Sequence, residues 1–166
     1  MSLDRLWAGW RSEYIESTTE LSEVDGCVFC GLIASDRPDE ETFVLWRGEH
    51  AAALLNAYPY TSGHLMVMPR RHLGELEELD GPATVETWAG VTDAVRALKA
   101  AYRPEGVNVG INLGRAAGAG LPGHLHVHVL PRWLGDSNFM TSVAEARVLP
   151  EPLTTTWQKL RSAWPT

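Results

Sequence analysis

The chain has 166 residues and a formal net charge of −7, from 14 Lys and Arg against 21 Asp and Glu. This length fits one domain, and 45% hydrophobic residues can build a core without disulfide bonds. An acidic chain without a Lys- or Arg-rich run is a poor nonspecific ligand for nucleic acid, so no such partner is expected. No stretch approaches the roughly 18 apolar residues that span a bilayer, so we expect a cytoplasmic protein without a membrane partner.

The first forty residues predict a helix, a loop and a cysteine-bearing turn. Residues 16–26 are polar and acidic and predict the loop. The C-x-x-C of Cys27 and Cys30 follows on a turn that opens a short helix, and residues 36–41 predict a solvated connector. Before the loop, apolar residues recur every three or four positions, as in a short amphipathic helix: Leu3, Leu6, Trp7, Trp10 and Tyr14.

The two cysteines leave three interpretations open: a redox dithiol, half of a metal site, or two ordinary buried thiols. A zinc site would need two more ligands from elsewhere in the chain. Histidines are the obvious donors, and the chain has six of them: His50, His64, His72, His124, His126 and His128.

Apolar runs bounded by turn residues predict three strands, at 42–46, 51–56 and 64–68, as an antiparallel meander. Asp80 then starts a long helix with Pro82 near its first position, and the helix should end before residue 104. Trp46 and Trp88 are expected in the core, and the buried face of the helix is expected to carry Val85, Trp88, Thr92, Val95, Leu98 and Tyr102.

Two further strands are predicted at 107–113 and 124–130, and a C-terminal helix at 151–163. This order of elements, with mostly short links between strands, favours an α+β fold in which helices pack on an antiparallel sheet of about five strands.

Histidines alternate with aliphatic residues along the last predicted strand, so a period of two puts three imidazoles on one face of the sheet. The first and third imidazoles lie about 13 Å apart along a strand, too far to share one metal ion, so the three must have different roles. The alternating residues are His124, Leu125, His126, Val127, His128 and Val129.

The segment before this strand is rich in glycine. Glycines allow backbone N–H groups to approach an anion closely, which is typical of a phosphate-binding loop, although glycines also serve plain turns. The glycines are Gly114, Gly118, Gly120 and Gly123.

Three segments resemble the histidine triad (HIT) superfamily of nucleotide hydrolases and transferases: HLHVHVL, LLNAYPYTSGHLMVMPRRH, and NVGINLG with the glycine-rich loop after it. HVHVLPRW, GDSNF, NAYPY and the N-terminal RLWAGWRSEYI look most like the diadenosine tetraphosphate phosphorylase and fragile histidine triad branches. The resemblance implies a HIT-like α+β fold and a single HIT domain over residues 1–166, with an N-terminal helix and loop (1–26), a core (27–131) and a C-terminal tail and helix (132–166).

The resemblance also implies roles for individual residues. His126 matches the nucleophile that attacks the α-phosphorus, and His128 matches the residue that contacts the phosphate and the leaving group. His64 matches the histidine that backs the catalytic site. Asn56 matches an asparagine that contacts the ribose, and Asn112 matches a polar residue that contacts the phosphates.

Many bacterial members of the superfamily hold a structural zinc ion with an N-terminal C-x-x-C and two histidines. The matching residues are Cys27, Cys30, His72 and His124. A closed four-ligand site leaves no position for substrate, so this ion would anchor the N-terminal segment to the catalytic strand. The redox dithiol remains the minority alternative.

One segment departs from the superfamily. Where its members usually carry a hydroxyl or an amide before the first triad histidine, this chain reads Gly118-Ala119-Gly120-Leu121. Gly118 and Gly120 would then bind the nucleotide only through the backbone. Arg115 is either a phosphate contact or, more simply, a solvated loop residue.

Trp133 either stacks on a base at the mouth of the site or makes a core or dimer contact. The tryptophans near the termini either cover the sheet or form the homodimer contact that the superfamily normally makes: Trp7, Trp10, Trp157 and Trp164. His50 lies in a turn and is expected to be solvated.

The leading hypothesis is therefore an enzyme that cleaves dinucleoside polyphosphates through a nucleotidyl-His126 intermediate, with phosphate or water as the second acceptor. A purine nucleoside phosphoramidase and a low-turnover nucleotide-binding regulator are the alternatives.

Overall fold

The computed structural model describes residues 26–136 and 151–165. The N-terminal helix predicted over residues 3–14, with Trp7 and Trp10, lies outside this range. The helices are α1 (Val28–Ala34), α2 (Asp39–Thr42), α3 (Gly81–Tyr102) and α4 (Leu153–Ala163), and the strands are β1 (Val44–Arg47), β2 (Ala51–Leu55), β3 (Leu65–Pro69), β4 (Gly106–Ile111) and β5 (Val127–Arg132). No described helix is both long enough and apolar enough to cross a membrane.

The five strands form one antiparallel sheet in the order β1-β2-β3-β5-β4, which confirms the predicted fold class and the predicted meander. Strands β2 and β3 are buried along their full length because both faces of the sheet are covered. Helices α3 and α4 pack on one face, and we call this apolar layer the main core. Helix α1 packs on the other face. Its buried side chains and the sheet residues beneath them form the α1 cluster: Phe29, Ile33, Val44, Ala52, Leu54, Met66 and Met68.

Helix α3 begins as predicted, because the Asp80 carboxylate accepts a hydrogen bond from the Ala83 N–H at 2.9 Å. Its expected buried face is right in part: Leu98 is buried, and Val95 and Tyr102 pack half-buried against the main core. The other three predicted positions are exposed. The side chain of Val85 is 72% exposed and that of Trp88 is 44% exposed, so Trp88 is not a core residue. The buried positions are mostly small: Ala83, Thr87, Gly90, Val91, Ala94, Ala97 and Leu98.

The physical reason is a close approach of α3 to the sheet. A Cβ atom at Gly90 would lie 3.0 Å from the Trp46 ring and 3.1 Å from Val67. Small residues therefore line the closest part of the contact, around Gly90, and the large Trp88 lies on the solvent side. Trp46 itself is half-buried against the main core, in agreement with its prediction.

The strand boundaries differ from prediction by up to three residues, and two of these shifts have a clear local cause. Strand β5 begins at Val127 and not at His124, because the Leu125 N–H donates to the Leu73 carbonyl at 2.6 Å outside the ladder. Strand β1 begins at Val44, because α2 occupies part of the predicted connector and Phe43 follows it in the left-handed region, with φ 55°.

The tryptophans of α4 cover the sheet, as one of the two alternatives predicted. The Trp157 indole N–H donates to the Val44 carbonyl at 2.8 Å, and Trp164 is buried and stacks on Trp46. Trp133 packs edge-on against Tyr102 of α3, with ring centroids 6.4 Å apart, which agrees with a core contact.

Candidate active site and metal cluster

A cluster of two cysteines and two histidines joins the start of α1 to the segment before β5. The Nδ1 atom of His124 lies 3.2 Å from the Cys27 sulfur and 3.5 Å from the Cys30 sulfur. The Nδ1 atom of His72 lies 3.5 Å from the Cys30 sulfur. All four ligand atoms lie within 4.8 Å of one another, so the predicted set is brought together.

The spacing fits a tetrahedral metal ion. Zinc bonds of about 2.3 Å to sulfur and 2.0 Å to nitrogen imply a sulfur-to-nitrogen edge of about 3.5 Å in a tetrahedron. The Nε2 atom of His124 lies 2.8 Å from the Pro69 carbonyl, to which only an N–H can donate. The proton therefore resides on Nε2, and Nδ1 offers its lone pair to a metal.

The pKa of the Cys30 thiol differs from that of a redox-active cysteine. Burial, followed by the neighbouring Cys27, raises the pKa of the Cys30 thiol to about 11. Redox-active C-x-x-C thiols have lowered pKa values instead. A bound metal ion would oppose this shift, because a thiol that coordinates a metal ion is deprotonated.

His126 lies directly beside this cluster and is only 6% exposed. Its Nδ1 atom is 2.7 Å from the carbonyl oxygen of His124, which can only accept a hydrogen bond. The ring proton therefore resides on Nδ1, and Nε2 keeps a free lone pair. Such an atom can act as a nucleophile without a proton being removed from it first.

His128 has the opposite tautomer, and a chain of hydrogen bonds explains why. The Tyr60 backbone N–H donates to Nδ1 of His64 at 3.1 Å, so the His64 proton lies on Nε2. That Nε2–H donates to Nδ1 of His128 at 3.0 Å, which leaves the His128 proton on Nε2. The ring centroids of His126 and His128 are 4.9 Å apart. A nucleophilic nitrogen and a donor N–H therefore lie side by side.

Burial keeps these imidazoles neutral. Desolvation is the largest cause that lowers the pKa of His126, although the bond to the His124 carbonyl opposes it. Desolvation, followed by the nearby His126, lowers the pKa of His128 to about 4. Both rings are therefore in their neutral forms near pH 7.

The predicted asparagines lie at the ends of strands beside the histidines. Asn56 is buried after β2, its side-chain oxygen accepts the Tyr58 N–H at 2.9 Å, and its amide nitrogen is 3.5 Å from Nε2 of His64. Asn112 follows the last β4 pair, in which Ile111 lies opposite Val127. Continuing that register brings Asn112 opposite His126.

The glycine-rich segment forms a tight turn rather than an open ring of amides. The Gly118 N–H donates to the Arg115 carbonyl at 2.9 Å, and Gly118 has φ 92°, which favours glycine. Within the described residues, the Gly120 N–H has no acceptor, so it is available to an anion. The Arg115 side chain is exposed.

Two aromatic residues of the site were not predicted from the sequence. The Tyr60 ring lies 4.6 Å from that of His64 and 6.0 Å from that of His128. The Phe29 ring lies 5.2 Å from that of His126. Tyr60 ends the NAYPY segment, but the resemblance gave it no role. Phe29 stands between the two cysteines, so a metal ion shared with His124 would have indicated its position.

Comparisons with known proteins agree with this geometry. A model of the HIT domain family matches residues 37–133, more than half of the chain. The chain is 41% identical over 165 residues to a Mycobacterium tuberculosis protein named AP-4-A phosphorylase, and the match covers 98% of this chain and 85% of that protein.

Two solved structures have the same fold. A zinc-bound histidine triad family protein from Mycobacterium smegmatis has a TM-score of 0.66 at 29% identity, over 82% of this chain and 91% of its own. A hypothetical histidine triad nucleotide-binding protein from Sulfolobus tokodaii has a TM-score of 0.67 at 28% identity, over the same shares of the two chains.

Proposed function

This chain belongs to the HIT domain family, and from that premise we propose that it cleaves dinucleoside polyphosphates such as diadenosine tetraphosphate, with His126 as the nucleophile. The observation that carries the proposal is the pair of opposite tautomers: His126 offers a free Nε2 lone pair beside the Nε2–H of His128. The name of the 41% identical relative supports the same substrate class.

In the first step, Nε2 of His126 attacks the α-phosphorus, and the bond from that phosphorus to its bridging oxygen breaks. Diadenosine tetraphosphate would leave ATP and an adenylyl group on His126. The Nε2–H of His128 donates to the bridging oxygen as its negative charge develops. Covalent capture divides one difficult displacement into two in-line steps.

In the second step, an acceptor oxygen attacks the same phosphorus and the bond to His126 breaks. Inorganic phosphate as acceptor yields ADP, and water yields AMP. We propose phosphate, because the relative that spans nearly the whole chain is named a phosphorylase.

Neighbouring polar groups would bind the substrate. Asn56 would hold a ribose hydroxyl, and Asn112 with the free N–H of Gly120 would bind phosphate oxygens. Gly118 would shape the turn through its left-handed backbone conformation and would not bind phosphate, because its N–H already donates to the Arg115 carbonyl. A chain of charge −7 must rely on such local donors to bind a polyanion.

One incubation tests the reaction. The protein is mixed with diadenosine tetraphosphate, with and without phosphate, and the products are identified by mass spectrometry. ADP with ATP, formed only when phosphate is present, supports phosphorolysis, and AMP with ATP means hydrolysis. Turnover of a phosphoramidate alone, or tight binding without any product, would contradict the proposal and favour one of the two alternatives. His126→Ala should reduce the reaction to background.

We propose that the metal is zinc and that its role is structural. The ligands Cys27, Cys30, His72 and His124 fill all four positions, so bound zinc would tie α1 to the catalytic segment and would not contact substrate. Elemental analysis of the purified protein should find one zinc per chain.

We also propose a homodimer formed through β4. This strand lies at the edge of the sheet, and most of its residues are exposed, with Val109 at 43%. An open edge of this kind is suited to pair with a second copy about a two-fold axis. Val109→Lys should yield monomers in analytical ultracentrifugation, whereas Val85→Lys on exposed α3 should leave the dimer intact.

A further inference from the structure

The short helix α1 connects the metal cluster to His126 through one side chain. Phe29 stands between Cys27 and Cys30, is 6% exposed, and contacts two imidazole rings edge-on. Its centroid is 5.6 Å from that of His124 and 5.2 Å from that of His126. We propose that Phe29 is a positioning residue that makes the attack of His126 depend on the metal site. This inference rests on the function proposed above.

The two ends of α1 are anchored in different ways. At the C-terminal end, the Arg47 guanidinium donates to the carbonyl of Ile33 at 3.0 Å and to that of Leu32 at 3.4 Å, and Ile33 is buried. At the N-terminal end, the N-cap Cys27 makes no side-chain capping bond. Among the described residues, that end is held by the burial of Phe29 in the α1 cluster and by the contacts of Cys27 and Cys30 to His72 and His124.

A helix of seven residues is too short to be stable alone, so it depends on these anchors. Removing the metal would loosen the first turn of α1, which carries Phe29, while Arg47 would still hold the last turn. The expected effect is therefore local, at the residue that touches the nucleophile.

The contact between Phe29 and His126 matters because the hydrogen bond to the His124 carbonyl fixes only one atom of the His126 ring. The ring could still rotate about that atom. His128 bounds the ring on one side at 4.9 Å, and Phe29 packs against it at 5.2 Å. Without the Phe29 ring, the free Nε2 atom would sample directions that are not in line with the breaking bond. Misplacing a reacting atom by about 1 Å can slow a reaction by about 100-fold.

Phe29→Leu tests the proposal, with Ile33→Val as the matched control, since Ile33 is buried in the same helix and the same α1 cluster. Single-turnover formation of nucleotidyl-His126 should slow by about tenfold in Phe29→Leu, the size typical of residues that support a metal site. The Kd for a non-reacting nucleotide analogue and the zinc content should stay close to those of the wild type. The control should react at nearly the wild-type rate.

Metal exchange then tests the coupling. Removing zinc, or replacing it with the larger cadmium ion if the zinc-free protein unfolds, should slow the wild type but not slow Phe29→Leu any further. The coupling would be overturned if metal exchange slowed both proteins equally. It would also be overturned if weaker nucleotide binding accounted for the slower reaction.

The ring itself can be observed without turnover. In ¹⁵N-labelled protein, the imidazole signals of His126 should broaden in Phe29→Leu and in zinc-free wild type, and unchanged signals would contradict the positioning role. If wild type forms no nucleotidyl-His126, the proposed function fails. If wild type and Phe29→Leu form it at the same rate, only the role of Phe29 fails.

Discussion

Lowering the pH to 5.5 is expected to leave the first chemical step almost unchanged, although an ordinary histidine is mostly protonated there. With an unperturbed pKa of 6.5, about 90% of an imidazole would be charged at pH 5.5. Burial and the nearby His126 lower the pKa of His128 to about 4, which corresponds to about 3% charged at that pH. The neutral form of His128 is the reactive one. The rate of the first step should therefore stay constant as the pH passes 6.5 and should fall only as the pH approaches 4.

The hydrogen-bond chain acts in the same direction. A proton added to His128 would go to Nδ1, which already accepts the Nε2–H of His64 at 3.0 Å. Protonation would therefore cost this bond as well as the desolvation of a buried charge. Burial lowers the pKa of His126 as well, which acts in the same direction.

Quench-flow measurement of nucleotidyl-enzyme formation between pH 4.5 and 8 checks this prediction. Diadenosine tetraphosphate suits the assay because it has no terminal phosphate monoester that titrates near neutral pH. Circular dichroism and zinc content at each pH verify that the fold and the metal persist, and His50→Gln, which removes a histidine with a half-exposed ring, should give the wild-type profile. A tenfold loss of rate between pH 7.5 and 5.5, with an NMR titration of His128 near 6.5, would refute the reasoning.

Three stability predictions follow from the same structure. Cys27→Ser should lose zinc and lower the Tm by about 10 °C, because it removes one of four ligands; an unchanged Tm in calorimetry would contradict the metal site. Ala94→Leu should destabilise the fold by about 1–3 kcal/mol in urea unfolding, whereas Val85→Leu should stay within about 0.5 kcal/mol, because only the first faces the main core. Asp80→Ala should cost about 1 kcal/mol through the lost N-cap of α3, and Asp80→Asn should restore most of it.

The sequence alone determined those features that depend on strand periodicity and on residue chemistry. The alternation of histidine with aliphatic residues predicted one polar and one apolar face, and His126 and Val127 do belong to opposite sides of the sheet. The set of two cysteines and two histidines was identifiable before their distances were known, because few side chains bind metals and their pattern resembles a known family.

Only the tertiary structure decided which face of α3 is buried and which tautomers the histidines adopt. Hydrophobic periodicity weights large residues, so it favoured Trp88, but near Gly90 the close approach of α3 to the sheet leaves room only for small residues. Tautomers depend on partners distant in the chain or on the backbone, such as the carbonyl of Pro69 for His124. The side chains that serve the chemistry could be listed from the sequence, but their protons are placed by contacts that exist only after folding.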